Sequence, residues 1–261
     1  VVVVGGGPAG LKAALTAAQR GHQVTLVEQS GALGGLMIPA SVGAFKEDLR
    51  RYLSYLRRQV EKSQIHVMLH TRADRALLEH LHPDAVILAV GGRAVMPPVP
   101  GLGTSGAVQA VALLNAGLET AGTRVTILGG GSIGCELALE LAALDRMVTV
   151  VELRDKLAAN GNELYRQDLM LHLEQETQIT ILTQTVCTGV TAQGCTVREK
   201  DGGTRVIPHD TFVIAAGLRA DADAVEALYG VVPETYYVGD CKRAASITEA
   251  TTEAYFLGAS L

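Results

Sequence analysis

Two stretches of this 261-residue chain repeat one another, and that repeat restricts the fold more than any other feature. Val1 to Val4 run into Gly5, Gly7 and Gly10, and 124 residues later Val125 to Leu128 run into Gly129, Gly131 and Gly134. In each copy a second apolar segment ends on an acid, VTLVE at Glu28 and VTVVE at Glu152, so 23 residues separate the first glycine from the carboxylate both times. A third echo matches DAVILAVG, Asp84 to Gly91, with DTFVIAAG, Asp210 to Gly217, at a shift of 126. Three segments matched in the same order point to one architecture built twice.

Each copy reads as strand, glycine-rich turn, helix, strand. After GGGPAG, Leu11, Ala14, Leu15 and Ala18 recur at helical spacing until Gly21 breaks the helix and VTLV resumes an extended run. From Phe45 to Lys62 the chain predicts an amphipathic helix whose stripe of Leu49, Tyr52, Leu53, Leu56 and Val60 covers a sheet. MPPVPG, shortly after Gly92, is stiff and extended, as a crossing between domains requires. Apolar alternation near 179–183, 186–191, 194–198 and 204–207 predicts a short antiparallel meander. The strand TYYVGD and a helix from about Ala244 to Gly258 find no echo in the second half, so they are expected to return to the first. The predicted fold is α/β, with two nested Rossmann-like dinucleotide-binding domains. The first is discontinuous, 1–103 and 218–261, and the second, 104–217, is inserted into it.

The spacing also states a chemistry. The first glycine of GxGxxG permits a sharp turn, the second lets a pyrophosphate approach the backbone, and the third lets helix and sheet pack closely. The phosphates then lie at a helix N-terminus, where free N–H groups favour negative charge. Glu28 and Glu152, at the tips of the second strands, can accept hydrogen bonds from the hydroxyls of an adenosine ribose. A carboxylate at Glu152 would repel a 2′-phosphate, which predicts NADH over NADPH, with Arg154 as the opposing charge. In YVGDC, a glycine after a strand brings backbone against a ligand. Asp240 can hold a ribityl hydroxyl there while the next helix aims its positive end at a flavin ring.

Other classes fall away on composition. With 22 basic against 27 acidic residues and no basic cluster, nucleic acid is excluded as a partner. No apolar run is long enough for a membrane span and no leader precedes the first strand, so no membrane association is expected. The four cysteines, Cys135, Cys187, Cys195 and Cys241, form no CxxC, which fits a reducing cytoplasmic compartment. His22, His66, His70, His80, His82, His172 and His209 show no metal-ligand spacing, and no metal site is expected. Val1 already lies inside a strand pattern, so the chain reads as the C-terminal piece of a longer polypeptide. Self-association into a homo-oligomer is left open.

The chain resembles the C-terminal FAD/NAD(P) part of the enoate reductase, 2,4-dienoyl-CoA reductase and trimethylamine dehydrogenase family of NADH:flavin oxidoreductases. The resemblance rests on VVGGGPAGL, LGG at 33–35, FKEDLRRYLSYL, PDAVILAVGG, PPVPG, ILGGGSIGCELA, and VGDC followed by ITEAT. It implies FAD on Gly5, Gly7, Pro8, Ala9, Gly10, Glu28, Gln29, Gly34, Gly35, Val90, Gly91, Gly239 and Asp240. It implies NADH on the second motif, at Gly131, Ser132, Ile133, Gly134 and Glu152, with Glu136 near the nicotinamide and Gly217 near a domain seam where hydride crosses. It further implies an upstream TIM barrel in the same polypeptide, carrying FMN and a 4Fe-4S cluster and reducing an activated C=C bond. Electrons would run from NADH to FAD, to the cluster, to FMN, to substrate. Two departures stand out: AVG replaces the family's ATG, with Val90 in the threonine place, and Ala94 falls where a proline is usual. Trimethylamine dehydrogenase-like members can hold ADP in place of FAD. Two alternatives remain: a pyridine nucleotide–disulfide reductase, whose redox cysteine pair is missing from residues 36 to 50, and a non-catalytic nucleotide-binding docking module.

Overall fold

The apolar run at the start forms β1 (Val2–Val4), buried at every position, as a central parallel strand covered on both faces must be. The glycine turn feeds α1 (Pro8–Gln19), where Pro8 costs nothing because a first-turn N–H has no helical partner. Then come β2 (Thr25–Val27), the single turn α2 (Met37–Ala40) and α3 (Glu47–Glu61). Glu47 and Asp48 open α3 and Arg58 lies in its last turn, both favourable to the helix dipole. Of its predicted stripe, Leu53, Leu56 and Val60 are buried, and Leu49 and Tyr52 pack on the same core. β3 (His66–Met68) leads to α4 (Arg75–Leu81), whose N-cap Asp74 accepts from the Leu77 amide at 2.8 Å. β4 (Ala85–Leu88) and β5 (Gly92–Ala94) follow.

The second half begins with β6 (Val108–Gln109), α5 (Ala110–Ala116), β7 (Arg124–Leu128), α6 (Ser132–Ala142), β8 (Met147–Val151), α7 (Glu163–Gln175) and β9 (Ile179–Leu182). It continues through β10 (Val186–Val190), β11 (Gly194–Arg198), β12 (Thr204–Pro208) and β13 (Thr211–Ile214). The chain then returns through β14 (Leu218–Ala220), α8 (Ala222–Leu228), β15 (Glu234–Tyr237) and α9 (Ile247–Ser260).

This computed structural model describes residues 1–159 and 161–261. Two compact units result: Val1–Ser41, Phe45–Arg93 and Leu218–Leu261 form one, and Val42–Ala44 with Ala94–Gly217 the other. Residues beyond Arg93 cluster with the second unit because Gly101 packs against the Val190 backbone and the Pro100 carbonyl accepts from the Val190 amide at 2.9 Å. Each unit is built on a five-stranded sheet, in the order β15-β4-β1-β2-β3 and β6-β13-β7-β8-β9. All neighbouring strands in both sheets are parallel.

Three expectations need correction. The segment 179–183 is no part of the meander, because β9 follows the crossover helix α7 and pairs parallel with β8, Val148 opposite Ile179. Only β10, β11 and β12 form the antiparallel sheet, packed through Cys187, Val190, Cys195, Val197 and Ile207. The last strand does have a positional partner: β6 takes the place beside β13 that β15 takes beside β4, but it arrives before its sheet instead of after. The final helix starts at Ile247 and not Ala244, since Ser246 and Glu249 close a capping box there.

Candidate functional site

In the first sheet the chain moves outward through β2 and β3 on one side of β1, then through β4 and β15 on the other. Where the order reverses, a crevice opens outside the carboxyl ends of the strands. Those ends carry the predicted residues: Gly5 after β1, Glu28 after β2, Val90 and Gly91 beyond β4, Gly239 and Asp240 beyond β15. In the second sheet the corresponding ends carry Gly129 after β7, Glu152 after β8 and Gly217 beyond β13.

The glycines divide by what forces them. Gly5 sits at φ +104°, and a Cβ there would overlap the Ala89 carbonyl oxygen; one at Gly10 would overlap the Gly5 carbonyl oxygen. Gly129, at φ +114°, and Gly134 meet Ala215 and Gly129 in the same way. Close packing of strand and helix therefore dictates the first and third glycines. The middle ones differ, because a Cβ at Gly7 or Gly131 would meet no atom within 4 Å. At those positions the protein itself does not demand glycine, and the space in front of each helix admits a phosphate. Neither α1 nor α6 has a side-chain cap, so their first N–H groups are available to an anion. Both cradles fit a pyrophosphate.

The two acids are held alike. Glu28 Oε2 accepts from the Gly6 amide at 2.6 Å and Oε1 from the Ser30 amide at 2.7 Å. Glu152 Oε2 accepts from Gly130 at 2.6 Å and Oε1 from Arg154 at 2.7 Å. Each carboxylate thus braces its own glycine turn, a role the sequence did not disclose. An ionised carboxylate oxygen accepts more than one hydrogen bond, so capacity for ribose hydroxyls remains.

The duplication continues further than expected. The Leu33 side chain abuts Gly6 as Leu157 abuts Gly130, and Gly34 N–H donates to the Gly6 carbonyl at 2.7 Å as Ala158 N–H does to Gly130 at 2.8 Å. Arg57 donates to the Leu33 carbonyl at 2.8 and 2.5 Å, and Arg166 to that of Leu157 at 2.9 Å. The sequence signal was there in Leu33 and Leu157, spaced like the acids, but glycine marks only the first copy. Gly35, at φ +51°, lies so close that its Cβ would stand 3.0 Å from Gly7 Cα.

Pro8 and Ala9 form the first turn of α1, with Ala9 buried, and Gln29 is exposed beyond Glu28. Val90 is half-buried, and Gly91 adopts φ +76°. Gly239, at φ +72°, approaches α1 closely enough that its Cβ would be 2.8 Å from Ala9 Cβ. Burial pushes the Asp240 carboxyl up, and it accepts from the Ala245 amide at 3.2 Å. The helix N-terminus expected just after Asp240 lies six residues on, where Ser246 caps it. Ser132 and Ile133 open α6, Ile133 being 37% exposed. Gly217 adopts φ +95°, and its carbonyl accepts from the Val95 amide at 2.9 Å.

Glu136 is half-buried on α6, and the Tyr165 hydroxyl donates to its Oε1. Tyr165 escaped the sequence reading because it belongs to another helix, α7. Burial and the Glu136 charge push its phenol above the ordinary range. Cys135 is fully buried, donates to the Gly130 carbonyl, and is pushed up to about 12 by burial with Glu152 and Glu136 nearby, so it remains a thiol. All four cysteines are free and buried. Among the described residues no helix is long and apolar enough to cross a membrane.

A family model described as pyridine nucleotide-disulphide oxidoreductase matches residues 1–254. The chain belongs to that family. It is an NAD(P)H-dependent flavoprotein oxidoreductase domain that binds FAD and NAD(H). Bilirubin reductase from Mediterraneibacter gnavus is 35% identical over 256 residues, 98% of this chain and 40% of that protein. Cinnamate reductase from Clostridium sporogenes is 29% identical over 98% of this chain and 38% of that protein. Among solved structures, a complex of 2-naphthoyl-CoA reductase with 2-naphthoyl-CoA superposes with a TM-score of 0.94 at 26% identity, over all of this chain and 39% of the other. These matches bear out the resemblance to the enoate and dienoyl-CoA reductase group. The chain spans about two-fifths of the length of the relatives it matches.

Proposed function

We propose that this chain is the electron-input module of a larger reductase, taking hydride from NADH on the second unit and delivering it to FAD on the first. FAD would lie on residues within 1–103 and 218–261, along Gly5 to Gly10, Glu28, Gln29, Gly34, Gly35, Val90, Gly91, Gly239 and Asp240. NADH would lie within 104–217, on Gly129, Gly131 to Gly134 and Glu152, with Glu136 near the nicotinamide. When bound, the flavin accepts the hydride pair and passes electrons onward; the chain supplies geometry and electrostatics. The observation that carries the reading is the pair of cradles in which the middle glycine alone faces open space and a braced carboxylate ends the second strand.

The likeness to bilirubin, cinnamate and 2-naphthoyl-CoA reductases supports an activated C=C bond as the final acceptor. An upstream TIM barrel with FMN and a 4Fe-4S cluster, in a cytoplasmic polypeptide, would complete that route.

Two variants separate the assignments. Gly7→Val should fold, because a Cβ there meets no atom within 4 Å, yet lose bound flavin. Gly131→Val should keep flavin and lose its reduction by NADH. Both are read from flavin absorbance per protein before and after NADH, and flavin retained in Gly7→Val would overturn the placement of FAD. The Glu152 carboxylate further predicts a kcat/KM for NADH at least about tenfold above that for NADPH, the cost of a phosphate set against an anion. A preference for NADPH would refute that role.

A further inference from the structure

Past the last glycine of the second motif stands Glu136, and the chain takes trouble to bring a hydroxyl to it. The loop after β8 closes over the glycine turn through the Ala158–Gly130 hydrogen bond, and Arg166 clasps the Leu157 carbonyl. Asn162 then caps α7, its Oδ1 accepting from the Leu164 and Tyr165 amides at 3.0 and 3.3 Å. These bonds set α7 beside α6 in one register, and Tyr165 reaches the Glu136 carboxylate from there. The core around both helices is built on Leu137, Leu141, Leu169 and Leu173, with the Tyr165 ring packed against it, so what the Tyr165 hydroxyl adds beyond packing is its bond to Glu136.

We propose that Tyr165 is a positioning residue, whose hydroxyl holds the Glu136 carboxylate in one orientation so that a fixed negative charge faces the nicotinamide ring as it becomes cationic. This rests on the placement of Glu136 beside the nicotinamide made above. When hydride leaves NADH with its electron pair, NAD⁺ and reduced flavin anion are the products, and positive charge builds on the nicotinamide ring. A carboxylate already oriented stabilises that charge without reorganising at the moment of transfer. A hydrogen bond from a neutral donor to a carboxylate is strong enough to select one rotamer of a half-exposed side chain. The same charge favours NAD⁺ over NADH at equilibrium.

The test uses the flavin-loaded protein with two readouts, calorimetric Kd values for NAD⁺ and NADH and the limiting rate of anaerobic flavin reduction. Tyr165→Phe should weaken NAD⁺ about tenfold while moving NADH less than about twofold, and slow the limiting rate about tenfold. Glu136→Ala should do at least as much, and the double variant should be no worse than Glu136→Ala alone, because the hydroxyl is proposed to act through the carboxylate. If Tyr165→Phe fails to fold, Tyr165→Met removes the hydroxyl with a more adaptable side chain and carries the same expectation. Wild-type values in the Tyr165 variant beside an impaired Glu136→Ala would overturn this inference and leave the placement of Glu136 standing, as would losses that simply add. Wild-type behaviour in Glu136→Ala would overturn both.

Discussion

Glu28 and Glu152 show how one residue can serve folding and binding together, since each carboxylate fastens the second amide of its glycine turn and keeps lone pairs for a sugar. That the acids mattered was legible from their equal spacing; that they brace the turn was not, because hydrogen bonds to backbone leave no mark on residue type. Tyr165 was illegible for a similar reason, as its partner lies 29 positions away on another helix. His209 offers a test at this scale. It is 3% exposed, its Nε2 lies 3.2 Å from the Thr191 carbonyl, and burial lowers its pKa. The folded protein thus keeps the ring neutral, while the unfolded chain takes up a proton below about pH 6.5. Stability should fall as pH drops below that value, and melting temperatures in His209→Gln should be less pH-dependent. Equal slopes for the two proteins would deny the buried neutral imidazole.

Among the elements, those with a strict hydrophobic period were readable and those fixed by tertiary partners were not. The stripe of α3 and the apolar runs of β1, β4, β7 and β13 announced their places in the fold. β9 was misread because a short alternating run looks the same beside a parallel or an antiparallel neighbour; only the crossover through α7 decides between them. β6, two residues long, carried no signal at all. α9 packs on α1 through small residues at helical spacing, Ala250, Ala254 and Gly258, and a Cβ at Gly258 would lie 2.9 Å from the Ala13 carbonyl oxygen and 3.0 Å from Thr16 Cβ. Gly258→Val should therefore force the helices apart and destabilise the first unit by about 1–3 kcal/mol. Chemical denaturation should show it as a lower midpoint at unchanged slope, and a midpoint equal to wild type would mean the contact yields without cost.

For the whole molecule, a duplicated phosphate cradle on two parallel sheets and the family match across residues 1–254 agree with one module that holds both cofactors. The nested arrangement could be read from the repeat because duplication fixes spacing, whereas the strand contributed by 108–109 needed the folded chain. Relatives more than twice as long agree with a further domain in the same polypeptide. The central claim is that both cofactors work on this chain, and anaerobic stopped-flow mixing of the FAD-loaded protein with NADH tests it most directly. The oxidised flavin band should bleach in a single turnover, at a rate that saturates with NADH concentration. NADH that binds and leaves the band unchanged would contradict the account and mark the chain as a nucleotide-binding docking module.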